Sequence, residues 1–473
     1  MSWATELYAV YDKVSELESE NEALLPISHS TAKAQLEVTI DKNGGLLNAK
    51  VIEDECDAVT MIPITEDSGT QSSGISPHPF ADKLIYLAGD YCEHCNAKKG
   101  DEDKFSAYIT QLLQWRDSEY THPSVNALYG YLSKGTLIKD LIRLRVMTAD
   151  ENGKLTSDKI QKVAQNDCFV RFRVCGDFEE RTWCDKTLRE KFIEYNSSMQ
   201  SEKALCYATG KQTFCTYKHP SKVLNASDKG KLFSANDESG YSYCGHFLNK
   251  EQTISIGYEF SQKMHNALKW LIARQGVSIG SLMLVVWNTE LSSMPNVLSA
   301  SSTIISECDE EIDDMGMDTD TNPDSLPPTF TSYKNALHKA IFHNAKFGES
   351  ELDIARKAMI LMLDEATTGR ISVNMYCELS ESEFYGNVNK WHLDTAWNRF
   401  DFAKKKDGVG SFSLLQIVDY AYGTEQSGKV VCKPEVKKDV IARLIPCVTN
   451  GRKLPSDIVR NLVNRASRRT AYS

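Results

Sequence analysis

The chain has 473 residues, 41% of them hydrophobic, and a formal net charge of −11, so it is too long for one ordinary domain and apolar enough to bury a real core. No apolar run reaches the ~18 residues of a membrane span, and Met1-Ser2-Trp3-Ala4-Thr5-Glu6 lacks the basic start and apolar stretch of a signal peptide. The 13 cysteines are odd in number and widely spread, which fits reduced thiols in cytoplasm rather than a disulfide scaffold.

Residues 2–18 place Trp3, Leu7, Val10, Tyr11, Val14 and Leu17 on one helical stripe. Residues 34–41 alternate as a strand with Leu36, Val38 and Ile40 on one side. Asn43-Gly44-Gly45 then turns the chain into a return strand over 46–53. The segment 57–63 reads as a strand. Residues 65–74 are small or polar, with Gly69 and Gly74, and read as an exposed loop closed by Pro77 and Pro79. Helices are expected over 81–90, 104–118, 123–133 and 158–165. Residues 168–175 alternate as a strand with Arg171 and Arg173 on its outer face. A helix over 184–196 precedes a hairpin, 204–208 and 212–217, around Gly210-Lys211. An irregular polar stretch covers 221–252.

Residues 257–275 carry Phe260, Met264, Ala267, Leu268 and Leu271 at helical spacing, with Gly276 as cap and a buried strand over Leu282–Trp287. Nine acids and no Lys or Arg lie between Glu307 and Asp324, which reads as a solvated linker and leaves the remainder near neutral. Beyond it come a helix over 331–345, strands over 358–363 and 370–379, and helices over about 382–404, 411–422, 435–446 and 455–469. Nine Lys or Arg against Asp439 and Asp457 make the tract from Lys437 basic, which is compatible with a bound polyanion. The expected fold class is α+β. An N-terminal β-containing region, 1–300, is followed by an acidic Pro-containing linker, 301–328. A mainly helical C-terminal region with a β-hairpin occupies 329–473.

Catalytic signatures are weak. Gly276-Val277-Ser278-Ile279-Gly280 matches G-x-S-x-G, but a helix precedes it and a strand follows, the reverse of a nucleophile elbow. Cys92 and Cys95 have half of a zinc spacing, and completion would need distant ligands such as Cys56, His78 or His122. Cys206, Cys215 and His219 fit no common metal pattern. No phosphate-binding glycine loop or H-E-x-x-H is present.

Other residues form an ordered set of short motifs. Pro63-Ile64-Thr65-Glu66 supplies P-x-T-E, followed by the Ser/Gly/Thr loop, by P-x-P at Pro77-His78-Pro79 and by D-K-x-x-Y at Asp82-Lys83-Leu84-Ile85-Tyr86. Cys206-Tyr207-Ala208-Thr209-Gly210-Lys211 with His219-Pro220 gives C-x-x-T-G…H-P. Leu232-Phe233-Ser234-Ala235-Asn236 and Ser242-Tyr243 give L-x-S-x-N…S-Y. Asn450-Gly451-Arg452-Lys453-Leu454-Pro455 continues the order near the end. In this order, over nearly the whole chain, the motifs resemble those of the large-subunit family of type I-C CRISPR Cascade complexes. Lys211 departs from that family's usual glutamate.

The resemblance implies a non-catalytic large subunit at the foot of a crRNA-bearing assembly. It would recognise the protospacer-adjacent motif in double-stranded target DNA, help to start duplex opening and R-loop formation, and present a surface to the helicase–nuclease. Its implied partners are crRNA-containing backbone and foot subunits and a small helical subunit, with no cofactor and no membrane. Family members usually continue into a C-terminal helical bundle; here the bundle is expected to be absent, a separate chain or not included. Minor-groove edges offer mainly acceptors plus the guanine amino donor, and a side-chain amide can meet both. Gln71 and Asn236 are therefore expected to contact bases, with Thr70, Ser72 and Ser73 alongside. Lys83, Arg171, Arg173, Lys229, Lys231 and Lys250 are expected on phosphates. The alternatives are a metal-dependent or hydrolytic nucleic-acid enzyme, for which Cys92 and Cys95 would be the metal candidates, or a protein-only scaffold.

Overall fold

The computed structural model describes residues 2–17, 24–70, 74–200, 203–225, 230–234, 246–247, 250–313, 327, 329–342, 356–367, 369–401 and 406–468. It is a mixed α+β protein of two compact units, Met1–Trp270 and Leu271–Ser473.

The first unit is built on a four-stranded sheet in the order Leu46–Val51, Leu36–Asp41, Phe169–Cys175, Asp82–Lys83. The hairpin between the first two strands turns on Asp41, whose carboxylate accepts the Asn43 and Gly45 N–H groups at 2.8 Å each. Gly44 sits at φ 78°, and a Cβ there would come within 2.8 Å of the Ala127 and Gly130 backbone, so the turn requires glycine. Leu36, Val38 and Ile40 face Val170, Phe172 and Val174 along a parallel pairing, and all six are buried. Helices Glu102–Arg116, Pro123–Leu132 and Lys186–Ser198 contribute Tyr108, Leu112, Trp115, Val125, Leu128 and Phe192 to the same core. Each such side chain removed from water contributes about 1.5–3 kcal/mol.

Two smaller pieces complete this unit. Strands His29–Lys33 and Val59–Pro63 pair antiparallel, and Gln212–Thr216 lies between Lys203–Leu205 and Ile256–Gly257. Helix Trp3–Leu17 lies beside residues 258–266 of helix Tyr258–Gln275. Tyr8 stacks on Phe260, with 5.1 Å between ring centres, and Asp12 accepts from Lys263 Nζ at 2.8 Å.

The second unit holds an antiparallel sheet in the order Val277–Ile279, Leu282–Asn288, Lys357–Thr367, Arg370–Ser380. Every residue of Leu282–Asn288 is buried. Helices Phe330–Phe342, Glu381–Asp394, Leu414–Tyr422 and Pro434–Thr449 bring Tyr333, Leu337, Phe384, Val388, Val418, Ile441 and Leu444 into the core beside it.

Several expected elements differ. Residues 81–90 are not one helix: Asp82–Lys83 joins the sheet edge, and short helices Leu84–Leu87 and Tyr91–His94 follow. Residues 158–165 form a tight hairpin, Lys159–Ile160 with Val163–Ala164, because Gln161 and Lys162 both adopt positive φ. Residues 301–313, expected as linker, form helix Ser301–Asp313, with Ser301, Ile304 and Ile305 buried. The helix expected over 382–404 ends at Asp394, and hairpins Trp397–Asp401/Lys406–Gly410 and Thr424–Gln426/Lys429–Val431 interrupt the mainly helical C-terminal region. No helix among the described residues is long and apolar enough to cross a membrane.

Candidate nucleic-acid interface

The first part of the stretch expected as an exposed loop is ordered: Glu66–Thr70 is a helical turn. Thr65 and Ser68 fold it by reciprocal capping, with Thr65 N–H donating to Ser68 Oγ at 3.0 Å and Ser68 N–H to Thr65 Oγ1 at 3.1 Å. The Thr70 hydroxyl donates to the Glu66 carbonyl at 2.7 Å, so Thr70 keeps acceptor capacity only. Gln71, Ser72 and Ser73 lie outside the described residues. The far end of the signature is fixed by Asp82, buried, which accepts the His78 and Lys83 N–H groups at 2.7 Å each. Burial pushes its carboxyl up to about 7 despite those donors.

The three N-terminal motifs meet. The Glu66 carboxylate accepts the Thr216 hydroxyl and the Asp67 carboxylate pairs with Lys218, which docks the helical turn on the end of strand Gln212–Thr216. That strand returns from the C-x-x-T-G turn. There Gly210 takes φ 69° and its N–H donates to the Cys206 carbonyl at 2.8 Å, while Gly257 N–H donates to Cys206 Sγ at 3.2 Å. Burial alone would push the Cys206 thiol up; the side-chain and backbone donors of Thr209 and the N–H groups of Gly257 and Ala208 outweigh it and hold it low.

Directly after Lys218, His219 is buried. Its Nδ1 lies 2.9 Å from Ser261 Oγ, and Phe233 of the third motif packs edge-on against it, ring centres 5.3 Å apart. Phe233 also meets His265 at 5.8 Å and stacks on Trp3 at 5.8 Å. Desolvation lowers His219 to about 4 and His265 to about 3, so both rings are neutral near pH 7. Both Nε2 atoms are buried without a hydrogen-bond partner. Lys231, half-buried, is lowered first by desolvation and then by Lys218.

Of the expected phosphate contacts, Lys83 is exposed at the sheet edge and Lys231 sits beside Lys218. Lys250 opens helix Lys250–Thr253. Lys229 and Asn236 lie outside the described residues.

Arg171 is corrected. Its side chain is 1% exposed, and its five N–H donors go to Glu37 Oε2 from Nε at 3.0 Å and NH2 at 2.6 Å, to Asp57 Oδ2 at 2.8 Å, to the Asp57 carbonyl at 2.5 Å and to Thr60 Oγ1 at 3.3 Å, under the ring of Trp183 at 3.8 Å. No donor is left for a phosphate, and the arginine holds the sheet to the Asp57–Thr60 segment. Arg173 is 29% exposed and already serves Glu37 at 3.2 Å and Glu180 at 3.7 Å. Burial would raise Glu37, but the Arg171 hydrogen bonds and the charges of Arg171, Lys50 and Arg173 hold it low. Alternation along one strand put both arginines outward; the missed signal was Glu37, which the parallel register sets opposite Arg171.

Cys92 is exposed and Cys95 buried at helix Tyr91–His94. Desolvation is the largest cause raising both thiols, Cys95 to about 11. Among the described residues no group of three or more His, Cys, Asp and Glu is arranged to hold a metal ion. Ser278 lies on strand Val277–Ile279, its hydroxyl directed to the Gly280 carbonyl at 3.4 Å.

A protein-family model described as CRISPR-associated protein (Cas_Csd1) matches residues 7–473. No curated protein matches the chain.

Proposed function

Since the chain belongs to the CRISPR-associated Csd1 family, the large-subunit family of the type I-C system, and is thereby a Cascade component, we propose that its first unit reads the protospacer-adjacent motif of double-stranded target DNA. On this reading the same surface helps to start duplex opening and R-loop formation, and the subunit docks the helicase–nuclease without chemistry of its own. It works in the cytoplasm beside crRNA-bearing backbone and foot subunits and a small helical subunit.

The observation that supports it is the meeting of the three signature motifs through Glu66–Thr216, Asp67–Lys218 and His219–Phe233. In sequence, Gln71 directly follows the docked turn and Asn236 follows Phe233 by three residues. The buried histidines are uncharged, and Lys218 is committed to Asp67. Discrimination therefore falls to polar groups, and guide pairing reads the rest of the target.

Gln71→Ala and Asn236→Ala are each expected to weaken binding of motif-bearing duplex by about 1–3 kcal/mol, with scrambled-motif duplex little changed. Equal loss on both duplexes, measured by titration of the assembled complex, would reduce the two residues to supports.

A further inference from the structure

We propose that the hairpin Lys203–Leu205/Gln212–Thr216 is a phosphate-binding arm for the target duplex beside the motif, with Lys203 and Lys211 as its charges. The ribbon has an inner and an outer face. The cross-strand pairs Lys203–Phe214 and Leu205–Gln212 share the outer one, where Lys203, Leu205 and Gln212 are exposed. The alternate residues turn inward, and Cys206 is buried there, its Sγ accepting the Gly257 N–H at 3.2 Å. At the tip, Gly210 and Lys211 are exposed, and a Cβ on Gly210 would meet nothing within 4 Å. The tip is nevertheless fixed: Cys206 N–H donates to the Lys211 carbonyl at 2.9 Å and Gly210 N–H to the Cys206 carbonyl at 2.8 Å.

Residues 203–218 hold Lys203, Lys211 and Lys218 and no Asp or Glu, in a chain of net charge −11. Lys218 is committed to Asp67, and among the described residues no carboxylate pairs with Lys203 or Lys211. Lys203 Nζ lies over the Phe214 ring, 5.3 Å from its centre, which holds it along the ribbon. Two exposed cations with no acid between them complement a phosphate backbone. Their spacing agrees. Lys211 lies opposite Cys206, three residues from Lys203, about 10 Å along the strand or about three phosphate steps. Tyr207, 57% exposed, and Gln212 add neutral donors of the kinds that bond phosphate oxygens. The other end of the ribbon is Thr216, which holds the turn Glu66–Thr70. Thr216 is about 17 Å from Lys211 along the strand, the length of about five base steps. A duplex seated on the turn and running along the ribbon brings its backbone within reach of both lysines. The choice of duplex DNA as the polyanion rests on the motif-reading role proposed above.

The test titrates motif-bearing and scrambled-motif duplex against the assembled complex over a series of salt concentrations. Lys203→Gln and Lys211→Gln should each weaken both duplexes alike, roughly fivefold near 0.15 M salt. The double variant should lower the slope of log affinity against log salt by about 1.8, while Lys203→Arg with Lys211→Arg keeps it. The crRNA content and subunit composition of the complex should not change. An unchanged slope in the double glutamine variant would overturn the proposal. So would a loss confined to motif-bearing duplex, or a complex that sheds crRNA or a protein subunit while its DNA slope holds. Motif discrimination is read as a ratio of the two duplexes at Gln71 and Asn236, and the arm as a slope common to both, so failure of either idea leaves the other visible.

Discussion

Replacing Arg171 with leucine should destabilise the first unit by about 3 kcal/mol, seen as a lower urea midpoint. The substitution leaves the Glu37 carboxylate, 2% exposed, without its bidentate partner, and strips a donor from the Asp57 carboxylate and Thr60. Removing one member of a buried pair commonly costs about 3–5 kcal/mol, because an uncompensated charge stays behind. Lys50 at 3.4 Å and Arg173 at 3.2 Å still reach Glu37, which places the expected cost at the low end. Replacing Glu37 and Arg171 together by leucine should recover much of the loss, since no orphaned charge then remains inside. An unchanged midpoint accompanied by weaker DNA binding would return Arg171 to the phosphate role that the structure denies it.

Acidification should destabilise the first unit even more. Burial holds His29, His78 and His219 at about 4 and His265 at about 3, whereas an unfolded chain protonates its histidines near pH 6.5. These are depressed pKa values, so the stability they carry is present above pH 6.5 and is lost as pH falls toward 4. Near pH 5 each histidine costs about 2 kcal/mol by this linkage. Asp82 opposes them. Its folded pKa of about 7 lies above the unfolded value, so its contribution is complete at low pH and is lost on raising pH through 7. One carboxyl offsets roughly one histidine. The net loss from pH 7 to pH 5 is then on the order of 5 kcal/mol, comparable with the whole stability of many domains. Denaturant midpoints at the two pH values check this, and His219→Gln with His265→Gln should flatten the dependence. A midpoint that holds or rises at pH 5 would contradict the assignment of four buried neutral rings.

Much of the fold was legible because its elements are locally consistent. Helix Tyr258–Gln275, strand Leu282–Asn288 and the turn at Gly44 each show periodicity and turn chemistry that agree with their burial. The failures have physical reasons. Gln161 and Lys162 occupy positive φ without a glycine to announce the hairpin, and two apolar residues, Ile304 and Ile305, find burial in a segment read as a solvated linker. The short turn at Glu66–Thr70 was hidden because its stability comes from Thr65–Ser68 capping and from partners about 150 residues away. The site was legible as motifs and not as contacts. Composition marked the segments around Gln71 and Asn236, but only folding joins them through His219 and Phe233, and only pairing across strands reveals Arg171 as a buried tie.

A photoreactive base placed within the protospacer-adjacent motif gives the most direct test of where the DNA is read. In the assembled complex, irradiation should couple it to peptides spanning residues 65–74 or 231–236. Coupling confined to the second unit, or to another subunit, would contradict the assignment of motif reading to this cluster.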